Sequence, residues 1–210
     1  MQTVDGYGSA PNQAKPIASH MYSKPGTYDI SVTGKTTNGG PCYWVPSSYT
    51  FTLSATAPPG EACVINAPKL LAHLAGHVAW GFKLADGDWE FGGNEGGLSG
   101  ASSKTWYKTG SQQVMLATFL KGGPYQEAGY YVSVECVTVS EPKVAAAEQQ
   151  VLDEQGERYI LFTQDCETQA YNVLSKYGVI GLPSDATDVA PNTWYEDLRP
   201  SAGFGPPKAL

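Results

Sequence analysis

Alternation and helical periodicity divide this chain into a β-rich start and a mixed α and β remainder. In residues 1–59, YSKPGTYDISVTGKTTNGG sets a Pro25-Gly26 turn ahead of an alternating strand and closes on an Asn-Gly-Gly turn. SSYTFTLSATAPPG gives a second alternating strand, stopped by Pro58, Pro59 and Gly60. From residue 68 the pattern changes. PKLLAHLAGH is a short apolar segment that stops at Gly76 before His77, and HVAWGFKL and DWEFGG predict two strands around Asp86-Gly87, the strongest hairpin signal in the chain. The Gly/Ser-rich stretch from Asn94 to Tyr107 is expected to be a mobile surface loop.

SQQVMLATFLKGG predicts a helix with Ser111 as N-cap and Gly-Gly as its stop. GYYVSVECVTVS predicts a strand, EPKVAAAEQQVLDEQG a helix, YILFTQ a strand and ETQAYNVLSKYG a helix closed by Gly178. The tail from Pro183 to Leu210 is expected to wrap irregularly. Trp80, Phe82 and Trp89 are expected in the hairpin core, with Trp106 and Trp194 as covers over loops. The whole predicts an α+β protein in which helices pack on an antiparallel sheet, with extra N-terminal β strands. The expected division is 1–59 and 60–210.

Composition narrows the function. The chain has 210 residues and a net charge of −7, and its 13 Lys and Arg form no basic cluster, so a nucleic-acid partner is disfavoured. The longest apolar run, AHLAGHVAWGF, is broken by His and Gly, so no membrane insertion is expected. MQTVDGYGSAPNQ has neither a basic start nor an apolar stretch, so no signal peptide is expected in this chain. Low charge and abundant Gly, Ser, Thr and Tyr are common in exported proteins, which favours an extracellular or cell-surface setting and a place in a larger surface or secreted assembly. Cys42, Cys63, Cys136 and Cys166 show no CxxC spacing and no adjacent histidine, so neither a metal nor another cofactor is expected. In an oxidising compartment Cys42 and Cys63 are candidates to bridge the segment between them.

Two positions carry candidate chemistry. Cys166 follows Asp165, a good N-cap, and Ala170, Val173, Leu174 and Tyr177 form the apolar face of the helix that follows. Cys166 lies four residues before Ala170 and so faces the sheet. A helix N-terminus favours a thiolate, and the N–H groups of its first turn can hold an oxyanion. Set against this, a cysteine on an apolar helix face is most often a small buried hydrophobe. His77 opens a strand inside an apolar hairpin, where packing alone gives a histidine no role. His20 and His73 lack such a setting.

A two-residue turn at Asp86-Gly87 pairs Lys83 with Glu90, Ala79 with Asn94 and His77 with Gly96. Cross-strand partners share a face, so Asn94 is the expected orienter of the imidazole. Glu90 falls about 20 Å away along the strand. A bulge at Gly92-Gly93 would instead bring Glu95 into that role.

Two resemblances follow from these motifs. His20, Tyr22, Pro25, Gly26, Thr27 and Tyr28, with Asp5-Gly6-Tyr7-Gly8 standing where a Gly-Asp-Gly loop is usual, resemble the second half of a PKD-type immunoglobulin-like domain. Over residues ~76–182, a histidine strand, a second strand with a polar residue, and a cysteine at a helix start after an apolar strand resemble the circularly permuted papain-like thiol hydrolases. That resemblance implies Cys166 as nucleophile, His77 as base and a covalent acyl-enzyme intermediate on a peptide, amide or ester substrate. The chain departs from the pattern at Asp165, where Asn is usual, and a carboxylate there opposes the thiolate unless it is consumed as a cap. Gln164 is a conjectured oxyanion donor. The expected function is a thiol peptidase or cell-wall-type amidase. The competing class is a non-catalytic surface module with a relic Cys/His pair, and a secreted toxin-like effector is a third.

Overall fold

The computed structural model describes residues 26–32, 49–55, 58–69, 76–95, 105–155, 165–184 and 190–210. The chain forms two compact units, Met1–Thr56 and Ala57–Leu210. In the first, β1 (Gly26–Val32) and β2 (Tyr49–Ala55) pair antiparallel, from Gly26 opposite Ala55 to Val32 opposite Tyr49. His20, Tyr22 and the Asp5–Gly8 loop lie outside the described residues, as does His73.

The second unit is α+β. Its sheet runs in the order β6-β5-β4-β3-β7-β8, every neighbouring pair antiparallel. The strands are β3 (Gly60–Ala67), β4 (His77–Lys83), β5 (Trp89–Asn94), β6 (Thr105–Gly110), β7 (Ser133–Val139) and β8 (Lys208–Ala209). Four helices accompany them: α1 (Gln112–Leu120), α2 (Val144–Glu154), α3 (Cys166–Tyr177) and α4 (Pro191–Ala202). One sheet face, with Val64, Val78, Trp80 and Phe82, packs against α2, α3 and α4 through Val151, Ala170, Leu174, Trp194 and Leu198. The other, with Ile65, Ala79 and Phe91, packs against Met115 and Phe119 of α1.

Both faces of the central strands are therefore buried, and that explains what the pattern concealed. GEACVINA is apolar nearly throughout because it lies between β4 and β7, covered on both sides. The expected loop over 94–107 is shorter at its far end: Thr105–Gly110 is a strand on β5, and Trp106 is buried beneath it rather than covering a loop. The tail is not an irregular wrap. Pro191 occupies the first turn of α4, where its missing N–H costs nothing, Trp194 is fully buried with its indole N–H donating to the Pro183 carbonyl at 3.0 Å, and β8 adds to the sheet edge. The YILFTQ segment lies outside the described residues. Cys63 bonds to Cys136, its direct partner across β3 and β7, and not to Cys42; cross-strand neighbours supply the short Cβ separation a disulfide needs.

The hairpin register differs from the sequence expectation by one residue. Leu84 N–H donates to the Asp88 carbonyl at 2.7 Å and Gly87 N–H to the Leu84 carbonyl at 3.1 Å, so Ala85, Asp86 and Gly87 form a three-residue turn. Gly87 takes φ +96°, the left-handed conformation that such a turn assigns to glycine. The strands consequently pair Phe82 with Glu90, Gly81 with Phe91 and Trp80 with Gly92.

Candidate functional site

The one-residue shift decides which side chain meets His77. Continued along the strands, the register sets Ala79 against Gly93, where an added Cβ would lie 3.4 Å from the Ala79 methyl, and His77 against Glu95. Asn94 falls opposite Val78 instead, on the other side of the pleat from Glu95, and pairs with Thr105 on β6. Glu90, opposite Phe82, lies five residues from the His77 position, about 17 Å along the strand. The carboxylate partner of the imidazole is Glu95: His77 Nε2 stands 3.3 Å from Glu95 Oε2, with both side chains essentially removed from water. The contact is an ion pair more than an aligned hydrogen bond, since Nε2 finds no acceptor in good hydrogen-bond geometry.

Glu95 is itself held from three further sides. The Tyr131 hydroxyl donates to Oε1 at 2.5 Å, the Trp106 indole N–H donates to Oε1 at 3.2 Å, and the Gln126 amide donates to Oε2 at 3.0 Å. Burial alone would raise this carboxyl, but the close His77 charge and the donors from Tyr131 and Gln126 outweigh it and bring it down to about 2. For His77, burial alone would favour the neutral ring. The charge of Cys166, its hydrogen bond to the ring and the nearby Glu95 prevail, and the imidazole is held protonated well above its ordinary range. The rings of Tyr130 and Tyr131 lie 5.8 Å from the imidazole and flank it.

The thiol is brought to His77 by the way α3 lies along β4. Toward its start, Gln169 Oε1 accepts from the Trp80 indole N–H at 3.1 Å; at its end, the Tyr177 hydroxyl donates to the Lys83 carbonyl at 2.7 Å. Cys166, three residues before Gln169 at the helix start, hydrogen-bonds the ring of His77, which opens β4. Cys166 is a free thiol and 2% exposed. Asp165 is consumed as the helix cap, its Oδ1 accepting from the backbone N–H groups of Glu167 at 3.0 Å and Thr168 at 3.1 Å. That capping takes two first-turn donors that a substrate oxyanion would otherwise use. Among the described residues, it leaves the N–H of Cys166 itself. Gln164 lies outside the described residues.

Position before His77 is fixed by Gly76. It adopts φ +76°, and a Cβ there would sit 2.0 Å from Asn192 Oδ1 of α4. Gly76→Ala is expected to destabilise the fold by roughly 1–3 kcal/mol through the left-handed backbone alone, and to move His77. Urea unfolding of the variant with the His77 imidazole resonances as reporter checks this; an unchanged midpoint and unchanged shifts would count against it.

Several site members carried no legible signal in the sequence. Tyr130 and Tyr131 read as strand residues, and Gln126 and Trp106 come from segments with no motif. Gln169 reads as one polar residue on a helix. Among the described residues, Glu61, Cys63 and Cys136 place three metal-type ligand atoms within 4.8 Å, but both sulfurs are spent in the disulfide. No helix among the described residues is long and apolar enough to cross a membrane. Compared with protein families, curated proteins and solved structures, the chain matches none.

Proposed function

We propose that residues 57–210 form a cysteine hydrolase of the permuted papain-like kind, acting on a peptide, amide or ester bond. The observation that carries this is the placement of His77 between a thiol at a helix start and a buried, four-partnered carboxylate. In this reading Glu95 fixes the imidazole through Nε2 and leaves Nδ1 to the thiol. Asn94, next in sequence, has no part in that role.

The chemistry balances with these groups alone. With the thiol proton already on His77, the Cys166 thiolate sulfur attacks the substrate carbonyl carbon, and the C–O π electrons pass to oxygen, which the Cys166 N–H stabilises. Collapse of that adduct breaks the bond to the leaving amine or alkoxide, to which His77 returns the proton. Water then attacks the thioester with His77 as base, releasing a carboxylic acid and the free thiol. Glu95 keeps its charge throughout and stabilises the imidazolium.

One observation favours the non-catalytic alternative: Cys166 and His77 are each only 2% exposed. Alkylation separates the two. At about pH 6 an ordinary thiol is ~0.3% ionised, so a Cys166 thiolate paired with His77 should react with iodoacetamide on the order of 100-fold faster than Cys166 in the urea-unfolded chain. His77→Ala should abolish that advantage. A folded-state rate no greater than the unfolded one would remove the hydrolase proposal.

A further inference from the structure

Away from His77, toward the start of β5, a second group of acidic side chains lies on the same side of the sheet as α2 and α3. Glu90, Tyr107, Ala145, Glu148, Gln149 and Leu152 line a cavity of about 400 Å³. Its mouth is formed by exposed parts of Tyr107 and Leu152, and its floor by Glu90, which is only 5% exposed. A side chain so enclosed, with its carboxylate facing only a cavity, ordinarily has donors or a basic partner. Glu90 has neither among the described residues, and Glu148, on α2, has no basic partner there either. Burial, reinforced by the charge of Glu148, pushes the Glu90 carboxyl up to about 7. Nothing in the fold described explains why this position carries Glu.

We infer that this cavity binds an organic cation, an ammonium or guanidinium group carried on an aliphatic stem. Two carboxylates face the space, and Gln149 adds an amide whose NH₂ donates to Asp153 at 2.9 Å, leaving its carbonyl oxygen as a third acceptor. Three acceptors match the three donors of an alkylammonium. The remaining walls are apolar: Leu152 and Ala145 suit a methylene stem, and the Tyr107 ring suits the cation itself. A calcium ion takes six to eight oxygen ligands, more than this lining supplies, and the apolar Leu152, Ala145 and Tyr107 walls offer nothing to a hydrated ion. Glu90 and Asn94 share a face of β5 four residues apart, about 13 Å, so the cavity lies within reach of an extended substrate held near Cys166. A role as a substrate subsite rests on the hydrolase proposal, whereas cation binding does not.

The test uses Nα-acetyl-lysine N-methylamide, titrated into the full chain near pH 7 and followed by NMR of Tyr107 and Leu152. The norleucine derivative serves as the uncharged isostere. The expected result is saturable binding of the lysine probe, at least about tenfold weaker binding of norleucine, and a fall of about one unit in the Glu90 carboxyl titration on saturation. Glu148→Gln, on the exposed side of α2, should weaken the lysine probe about tenfold without affecting folding. Glu90→Gln should do the same and is read only alongside its unfolding midpoint. Equal binding of the two probes, binding unchanged in Glu148→Gln, or calcium chloride binding where the lysine probe does not would each overturn the inference. Cys166→Ala should bind the lysine probe like the native chain, so a failed hydrolase proposal and a failed cation site give different results.

Discussion

Glu95→Gln is expected to lower stability by about 3–5 kcal/mol, the usual consequence of leaving one member of a buried ion pair without the other. The substitution preserves shape but not pairing. With its carbonyl oxygen facing Tyr131 and Trp106, the new amide would present NH₂ to the Gln126 amide and to His77, donor against donor. The pH dependence identifies the cause. Glu95 has its carboxyl depressed, so its contribution is present above the ordinary value of 4.5 and is lost as pH falls toward about 2. His77 is raised, so its contribution is present below 6.5 and is lost as pH rises through its elevated value. The gap between native and variant should therefore be widest at mildly acidic to neutral pH and narrow at both extremes. Urea unfolding at a series of pH values measures it, and parallel curves for the two proteins would rule out the ion pair as the source. The variant should also slow the alkylation of Cys166, since one of the groups that hold His77 as the cation would be gone.

Removing the Cys63–Cys136 disulfide should have an effect of similar size. The bridge closes a loop with a sequence separation of 73, for which chain entropy gives about 4 kcal/mol. The Cys63→Ala, Cys136→Ala double variant is expected to melt on the order of 8–16 °C below the native protein. Cys63 is fully buried between β4 and β7, so the alanines also leave unfilled space in the core facing α1. Calorimetry of the double variant, with reduced native protein as a second sample, checks the value. A shift within about 2 °C of the native protein would mean that the bridge adds little beyond the packing around it.

How much of this was legible in the sequence depended on whether local pattern or long-range pairing decided the matter. α1 and α3 follow from their caps, with Ser111 accepting from the Val114 N–H, Asp165 capping α3 and Gly178 ending it in the left-handed conformation, while α2 follows from its Ala/Glu/Gln-rich composition without a side-chain cap. The placement of Cys166 at a helix start was readable for the same local reason. β3 was not readable, because a strand covered on both faces does not alternate. The identity of the residue facing His77 turned on a turn length that Asp-Gly alone leaves ambiguous between two and three residues. The polar partners of Glu95 come from β6, from the segment after α1 and from the approach to β7, and no short-range pattern links such distant positions. The disulfide is similar: Cys63 and Cys136 become neighbours only once β3 and β7 pair.

The turn formed by Ala85, Asp86 and Gly87 has an evolutionary consequence. It lies roughly 27 Å along the strand from His77 and touches neither the thiol nor the buried carboxylate, yet its length determines which side chain the histidine meets. Drawing Ala85 into β4 to leave a two-residue turn would move every residue of β5 by one step and set Glu95 against Val78 instead of His77, with no substitution at the site itself. Among descendants of this fold, a change of turn length in that distant hairpin would change the chemistry as decisively as mutation of the histidine.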